Sequence, residues 1–400
     1  MDIAFVSAEI APFAKVGGLA DVAGALPRAL AREGARVTLL TPGYGGTDWE
    51  RFQIPREPVF SAWIPLGEHG AQPVEVRAGF LPGTDIRVYF IRNDYFFDRP
   101  GVYTDPETGR EYPDGALRFV FFVKACLELL AWRHLRPAVI HCHDSHTAIL
   151  PALLASHYRG SAALGRTGTL LTIHNIAYQG LYPPETLPAM GFAPGLAGPL
   201  GPFEYYGQVN FLKIGIMFAD LINTVSETYA AEIQASEEYG CGLEGVLRER
   251  SGDVSGVLNG VDYDEWDPRV DPLIPRRFGP DDLDGKRENK RALLEAFRFE
   301  ESRPEGPVIG IVGRLVDQKG LDLLLPILPD LVLAGARLVI LGSGLPRYQE
   351  ALLEAAARYP GRVGVRIGFD NRLAHLIEAG SDLFLMPSRY EPCGLNQMYS

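Results

Sequence analysis

The sequence predicts an α/β fold built as two doubly wound halves, each a largely parallel sheet covered by helices. Three observations predict it. Short apolar runs alternate with longer helical patterns from the first residue. This order breaks once, over residues 55–92, and then resumes. A second βα series begins at Pro307, after a stretch rich in Asp, Pro and Arg.

The elements follow in order. Ile3–Ser7 reads as a buried strand, Leu19–Arg32 as an Ala- and Leu-rich helix, and Arg36–Thr41 as the next strand. Residues 55–92 alternate Val, Ile, Phe and Tyr between Gly and Pro breaks, as inserted hairpins do. Helices are then expected over Leu117–Leu130, Thr147–His157 and Gln208–Phe218, with strands over Ala138–Cys142 and Thr169–Ile173. Residues 262–306 read as an interdomain connection with one helix near Lys290–Phe297. Strands follow over Pro307–Val312, Arg337–Leu341, Val363–Ile367 and Asp382–Met386, with helices between them. The expected domains are residues 1–261, carrying the hairpins, and residues 262–400, the connection plus a second doubly wound domain. Sheets of this kind bind ligands outside the carboxyl ends of their strands, so a cleft between the halves is expected.

Composition narrows the partners. The chain has 400 residues, 46% hydrophobic, and a formal net charge of −12. Such a field repels nucleic acid and anionic membrane surfaces, so neither is expected as a partner. The start lacks the basic and apolar regions of a signal peptide, and no run of about 18 apolar residues suggests a transmembrane helix. The four cysteines, Cys126, Cys142, Cys241 and Cys393, form no Cys-x-x-Cys pair and no disulfide framework, which points to reduced thiols and a cytoplasmic location.

Against that acidic background, the cations on βα turns stand out. The first turn reads Lys15-Val16-Gly17-Gly18-Leu19-Ala20-Asp21. Its paired glycines either make a tight turn only or let backbone N–H groups meet an anion at a helix start, with Lys15 adding charge. The matching turn of the second half, Gly313-Arg314-Leu315-Val316-Asp317-Gln318-Lys319-Gly320, carries a guanidinium and an ammonium. Together they suit a diphosphate leaving group, unless the turn is merely solvated.

The other polar turns fall after strands. His174 opens His174-Asn175-Ile176-Ala177-Tyr178-Gln179-Gly180 and either points into the ligand crevice or bonds backbone in the core. His141, His143, Asp144 and His146 look like a metal cluster, but their spacing matches no closed four-ligand set. Asp144 fits contact with a sugar better. In Pro387-Ser388-Arg389-Tyr390-Glu391-Pro392-Cys393-Gly394-Leu395, Glu391 can bond sugar or ribose hydroxyls, and the N–H groups after Cys393 can meet an anion. Phe369, after another strand, either stacks a nucleobase or fills the core.

In this order, the segments Lys15–Val22, His174–Gly180, Tyr205–Lys213, Leu258–Trp266, Arg314–Asp322 and Pro387–Leu395 resemble the bacterial glycogen and plant starch synthases. The resemblance runs over essentially the whole chain. It implies the GT-B fold, two Rossmann-like domains facing a cleft. It implies transfer of glucose from ADP-glucose to the nonreducing end of an α-1,4-glucan, with retention and with no metal or other cofactor. By the same resemblance, His174, Arg314, Lys319, Glu391 and Asp144 belong to the catalytic site. Lys15, Gly17, Gly18, Asp21, Asn259, Gln318, Phe369, Cys393, Gly394 and Leu395 line the donor or sugar site.

Two departures qualify it. Ser145 stands where the family usually carries Trp, which removes an aromatic from the acceptor side. The sequence stops at Ser400, inside an expected helix, so the C-terminal part is expected to be truncated. Two alternatives share the fold or ligand: another nucleotide-sugar transferase, and a non-catalytic glucan-binding or regulatory protein. A glycan phosphorylase would be far longer and would need a pyridoxal phosphate lysine.

Overall fold

The computed structural model describes residues 1–106, 108–133, 135–199, 201–299 and 306–400. The chain divides into two compact units, Met1–Asn259 and Gly260–Ser400.

In the first unit the strands are β1 (Asp2–Val6), β2 (Arg36–Pro42), β3 (Phe60–Pro65), β4 (Ala71–Phe80), β5 (Arg87–Arg92), β6 (Val139–His143), β7 (Gly168–Ile173), β8 (Leu181–Tyr182), β9 (Glu204–Tyr205), β10 (Gln208–Asn210), β11 (Leu221–Thr224) and β12 (Val254–Gly256). Nine of them form one sheet in the order β12-β11-β7-β6-β1-β2-β5-β4-β3. All pairings are parallel except β3 with β4 and β4 with β5. The hairpins expected over residues 55–92 are therefore not a separate appendage. β5 lies parallel beside β2, and the hairpins extend the main sheet to its edge.

The central strands are apolar on both faces because helices cover both, as parallel sheets require. Phe5, Leu39, Val88 and Phe90 pack with Ile10 and Phe13 on one side. The helix Gly115–Trp132 buries Phe119, Val120, Phe121, Phe122 and Val123.

One expected helix begins late. Residues 208–210 are β10, paired antiparallel with β8 and β9, and the helix runs only over Phe211–Phe218. Asn210 sets the boundary: its backbone is extended and its side chain accepts the N–H of Lys213 at 2.9 Å. The helix expected from Thr147 likewise starts at Leu150, after a run of turns.

The second unit holds β13 (Val308–Val312), β14 (Arg337–Gly342), β15 (Val363–Ile367) and β16 (Leu383–Phe384), all parallel, in the order β15-β14-β13-β16. The helix Asp284–Ala296 belongs to this body. Its Leu293 and Leu294 pack with Phe299, Val308, Val339 and Ile377. The stretch read as a connection thus supplies part of a core. Residues 300–305 of it lie outside the described residues. β16 covers only two of the five residues expected for it.

Among the described residues, no helix is long and apolar enough to cross a membrane. All four cysteines are free.

Candidate active site

Strand order locates a ligand crevice in each unit. β1 has β2 on one side and β6 on the other, so the chain reverses its winding between β1 and β6. β13 likewise sits between β14 and β16. Ligands of doubly wound sheets bind at the carboxyl ends of strands at such switch points. Most of the residues expected to act collect at these two places, and Asn259 and Phe369 do not.

In the first unit, the loop after β1 runs into the helix Gly18–Arg32, with Gly17 as its extended N-cap. The backbone N–H groups of this turn do face an anion, but one from the chain itself. Oε2 of Glu9 accepts the N–H of Val16 at 2.5 Å and that of Gly17 at 3.0 Å. Its other oxygen accepts the hydroxyl of Tyr103 at 2.6 Å. Burial pushes the Glu9 carboxyl above its ordinary range, against the lowering effect of these three donors. Lys15 contacts Asp21 at 2.5 Å, one turn into the helix.

Asp144 follows β6 in a left-handed conformation, φ 56°, and its Oδ1 accepts the backbone N–H of His174 at 2.7 Å. This ties the end of β6 to the loop after β7, the neighbouring strand. The side chains meet as well, with Nδ1 of His143 3.0 Å from Nε2 of His174. Burial lowers the His174 pKa to about 3, so the ring is neutral at physiological pH. Burial, then the neighbouring His141 and His174, holds His143 well below its usual value. Both rings are held in the neutral form.

The apparent metal cluster does not assemble. His141 bonds Thr172 Oγ1 at 2.6 Å. His146 stacks on Tyr103, ring centroids 4.4 Å apart, and meets Phe119 edge-on. Among the described residues, no group of three His, Cys, Asp or Glu side chains could hold a metal ion. Asn259 follows β12, at the far edge of the sheet, where its N–H bonds the carbonyl of Val225.

In the second unit, the turn after β13 lies against the turn after β16. Lys319 Nζ meets Glu391 Oε1 at 2.5 Å, and Ser388 donates its hydroxyl to the same oxygen at 2.6 Å. Gln318 donates to the Tyr390 carbonyl at 3.2 Å, and the N–H of Arg389 bonds the Gln318 carbonyl at 2.9 Å. Gly320 permits this approach: its φ is +67°, and a Cβ there would lie 1.9 Å from the Pro387 carbonyl oxygen. Arg314 is half-buried on the same turn. Gly394, φ 77°, caps the short helix Leu395–Tyr399, with Cys393 just before it. Phe369 is apart from this group, at the end of β15, and is 68% exposed, so it does not fill the core.

Sequence reasoning did not single out Glu9, Tyr103, Ser388 or the contact of His143 with His174. Glu9 had a faint signal, a carboxylate beside the apolar run Ile3–Val6 and just upstream of a Gly-Gly turn. Tyr103 had none, since its partner is 94 residues away.

Two doubly wound units with charged turns at their switch points are the parts from which GT-B glycosyltransferases are built. Residues 2–249 match the family described as starch synthase catalytic domain, and residues 294–398 match glycosyl transferases group 1. The chain belongs to the glycogen and starch synthase family. It is 44% identical to a glycogen synthase of Anaeromyxobacter sp. (strain Fw109-5), over all of this chain and 81% of that protein. It is 43% identical to a glycogen synthase of Thermotoga maritima, with the same coverage of each. Among solved structures it resembles the catalytic domain of Arabidopsis thaliana starch synthase IV bound to ADP and acarbose. There the TM-score is 0.88 at 33% identity, covering 99% of this chain and 80% of that one.

Proposed function

We propose that the chain transfers glucose from ADP-glucose to the nonreducing end of an α-1,4-glucan, with retention of configuration. The observation that carries this is the Lys319–Glu391–Ser388 cluster at the switch point of the second sheet. It sets the cation of the turn that bears Arg314 and Gln318 against a carboxylate of the turn after β16. Binding of a nucleotide and a glucan is further supported by the Arabidopsis relative, whose structure holds ADP and acarbose.

In this reading Arg314 and Lys319, helped by Lys15, offset the negative charge that builds on the departing ADP. Gln318, Phe369 and the Cys393–Leu395 backbone contact the nucleotide. Gly17, Gly18, Asp21, Asn259 and Asp144 line the donor sugar. His174 holds a glucose hydroxyl and shuttles no proton, in keeping with its lowered pKa. Both candidate nucleophilic carboxylates are already engaged, Asp144 by the His174 N–H and Glu391 by Lys319 and Ser388. Retention is therefore assigned to attack from the leaving-group face, with the diphosphate helping to remove the acceptor proton. The four free thiols favour a cytoplasmic setting.

The test offers ADP-glucose and UDP-glucose separately with glycogen and follows release of the nucleoside diphosphate. Faster release of ADP, with glucan growth, is expected. Equal rates would reject the donor assignment, and a glucosyl ester trapped on Glu391 or Asp144 would reject same-face attack.

A further inference from the structure

His143 takes no part in the scheme above, yet it is fully buried and in hydrogen-bond contact with His174. Its ring is closely packed. Phe5 lies against it with centroids 4.1 Å apart, and His141 at 4.0 Å. Its backbone N–H is fixed by Thr147 Oγ1 at 2.6 Å. The next residue, Asp144, holds the backbone of His174. Two successive residues at the end of β6 therefore grip His174, one by its main chain and one by its ring.

The contact between the rings admits two proton arrangements. Both imidazoles are neutral, so one of the two facing nitrogens carries a hydrogen and the other a lone pair. If Nε2 of His174 donated, His143 would carry its own proton on Nε2. That atom is buried and has no hydrogen-bond partner. A buried N–H without an acceptor is among the rarest features of folded proteins and forfeits its full hydration. If instead Nδ1–H of His143 donates, only a lone pair on Nε2 is left without a partner. The second arrangement is favoured, and it has a consequence at His174. With Nε2 serving as acceptor, the proton of His174 sits on Nδ1.

We propose that His143 is a positioning residue that locks His174 in its Nδ1–H tautomer, so that His174 offers a hydrogen-bond donor, not an acceptor, to the oxygen of a sugar hydroxyl. The inference rests on the proposed placement of His174 at the donor sugar. A donor here leaves the hydroxyl's own proton free for a second partner, and it keeps the same charge across the neutral range.

The decisive measurement is a long-range ¹H–¹⁵N correlation spectrum of the full chain labelled in histidine, with His174 assigned by the loss of its pattern in His174→Gln. A protonated Nδ1 and a bare Nε2 on His174 are expected. In His143→Phe, which keeps the bulk but not the donor, this pattern should mix or invert. There kcat should fall about tenfold, the size of one neutral hydrogen bond, with little change in KM for ADP-glucose. His143→Asn, whose amide N–H can occupy the place of Nδ1–H, should restore most of kcat and the His174 pattern; a merely structural role would not distinguish the two variants this way. A wild-type His174 protonated on Nε2 overturns the proposal, as does unchanged kcat in His143→Phe. If His143→Phe does not fold, the wild-type spectrum still decides the tautomer, and His143→Asn decides the role, its failure to sustain kcat counting against it. A His174→Gln enzyme with full activity would instead overturn the placement of His174 at the sugar, while the wild-type spectrum would still settle the tautomer by itself.

Discussion

Replacing Lys319 by alanine removes an ammonium and also strips Glu391 of the cation 2.5 Å away. Under the proposed function both losses weaken the hold on the diphosphate in the transition state, where its charge is largest. We expect kcat/KM to fall at least about tenfold, as for one charge-assisted contact. Steady-state kinetics with ADP-glucose check this, and an unchanged value would take Lys319 out of the site. At this scale the sequence was partly legible. Lys319 and Glu391 each sit in a compact, unusual turn, and a scarce cation beside a glycine is visible without a structure. Their pairing across 72 residues is not, because it depends on β13 and β16 lying side by side. Glu9 was hidden for a related reason. Its carboxylate takes up turn N–H groups that the glycine pattern alone would offer to a ligand.

At the scale of elements, the helix Phe211–Phe218 shows how one residue decides a boundary. Its apolar run continues backwards through Val209, so periodicity alone extends the helix to Gln208. Asn210 stops it by capping Lys213 with its oxygen while its amide donates to Gln179 Oε1 at 2.7 Å, and Asn210 itself is fully buried. Asn210→Ala should cost about 1–2 kcal/mol, combining a lost cap with a buried amide left without its partner. Urea unfolding of the first unit's signal measures it, and a loss within a few tenths would mean that water or a rearranged Gln179 replaces the cap. Regular elements were readable because burial on both sheet faces writes long apolar runs into the strands. What escaped were places where side-chain contacts or strand neighbours override local pattern: the small sheet of β8, β9 and β10, the short β16, and the hairpins joined to β2.

For the whole molecule, the buried histidines predict opposite responses to pH in the two units. In the first, burial lowers His141, His146 and His174 to about 3, and it holds His143 well below its ordinary value too. Unfolded, each would titrate near 6.5, so below that pH the unfolded state binds more protons and stability falls steadily as pH drops from 6.5 toward 3. In the second, His375 behaves the other way. Burial disfavours its charge, but the Asp271 carboxylate at 2.8 Å and Glu265 at 3.8 Å outweigh that and raise its pKa. Trp266 stacks on it at 3.8 Å and on Tyr399 at 4.0 Å, so the ring joins the segment after Gly260 to the last helix. Stability from His375 is complete below 6.5 and is lost as pH rises through its higher folded value. Glu378, raised to about 7 mainly by burial, adds a change of the same sign, lost as pH rises from 4.5 through 7. Hydrogen exchange of the intact chain at about pH 5.5 and about pH 8, corrected for intrinsic rates, reads the units separately. Amides of β1, β6 and β7 should be less protected in the acidic sample, whereas amides of the helix Asn371–Gly380 should be less protected in the alkaline one. His375→Gln should flatten the second response and leave the first unchanged. Lower protection of both units in the alkaline sample would mean that general charge repulsion in this acidic chain, not its buried imidazoles, governs the response of the first unit.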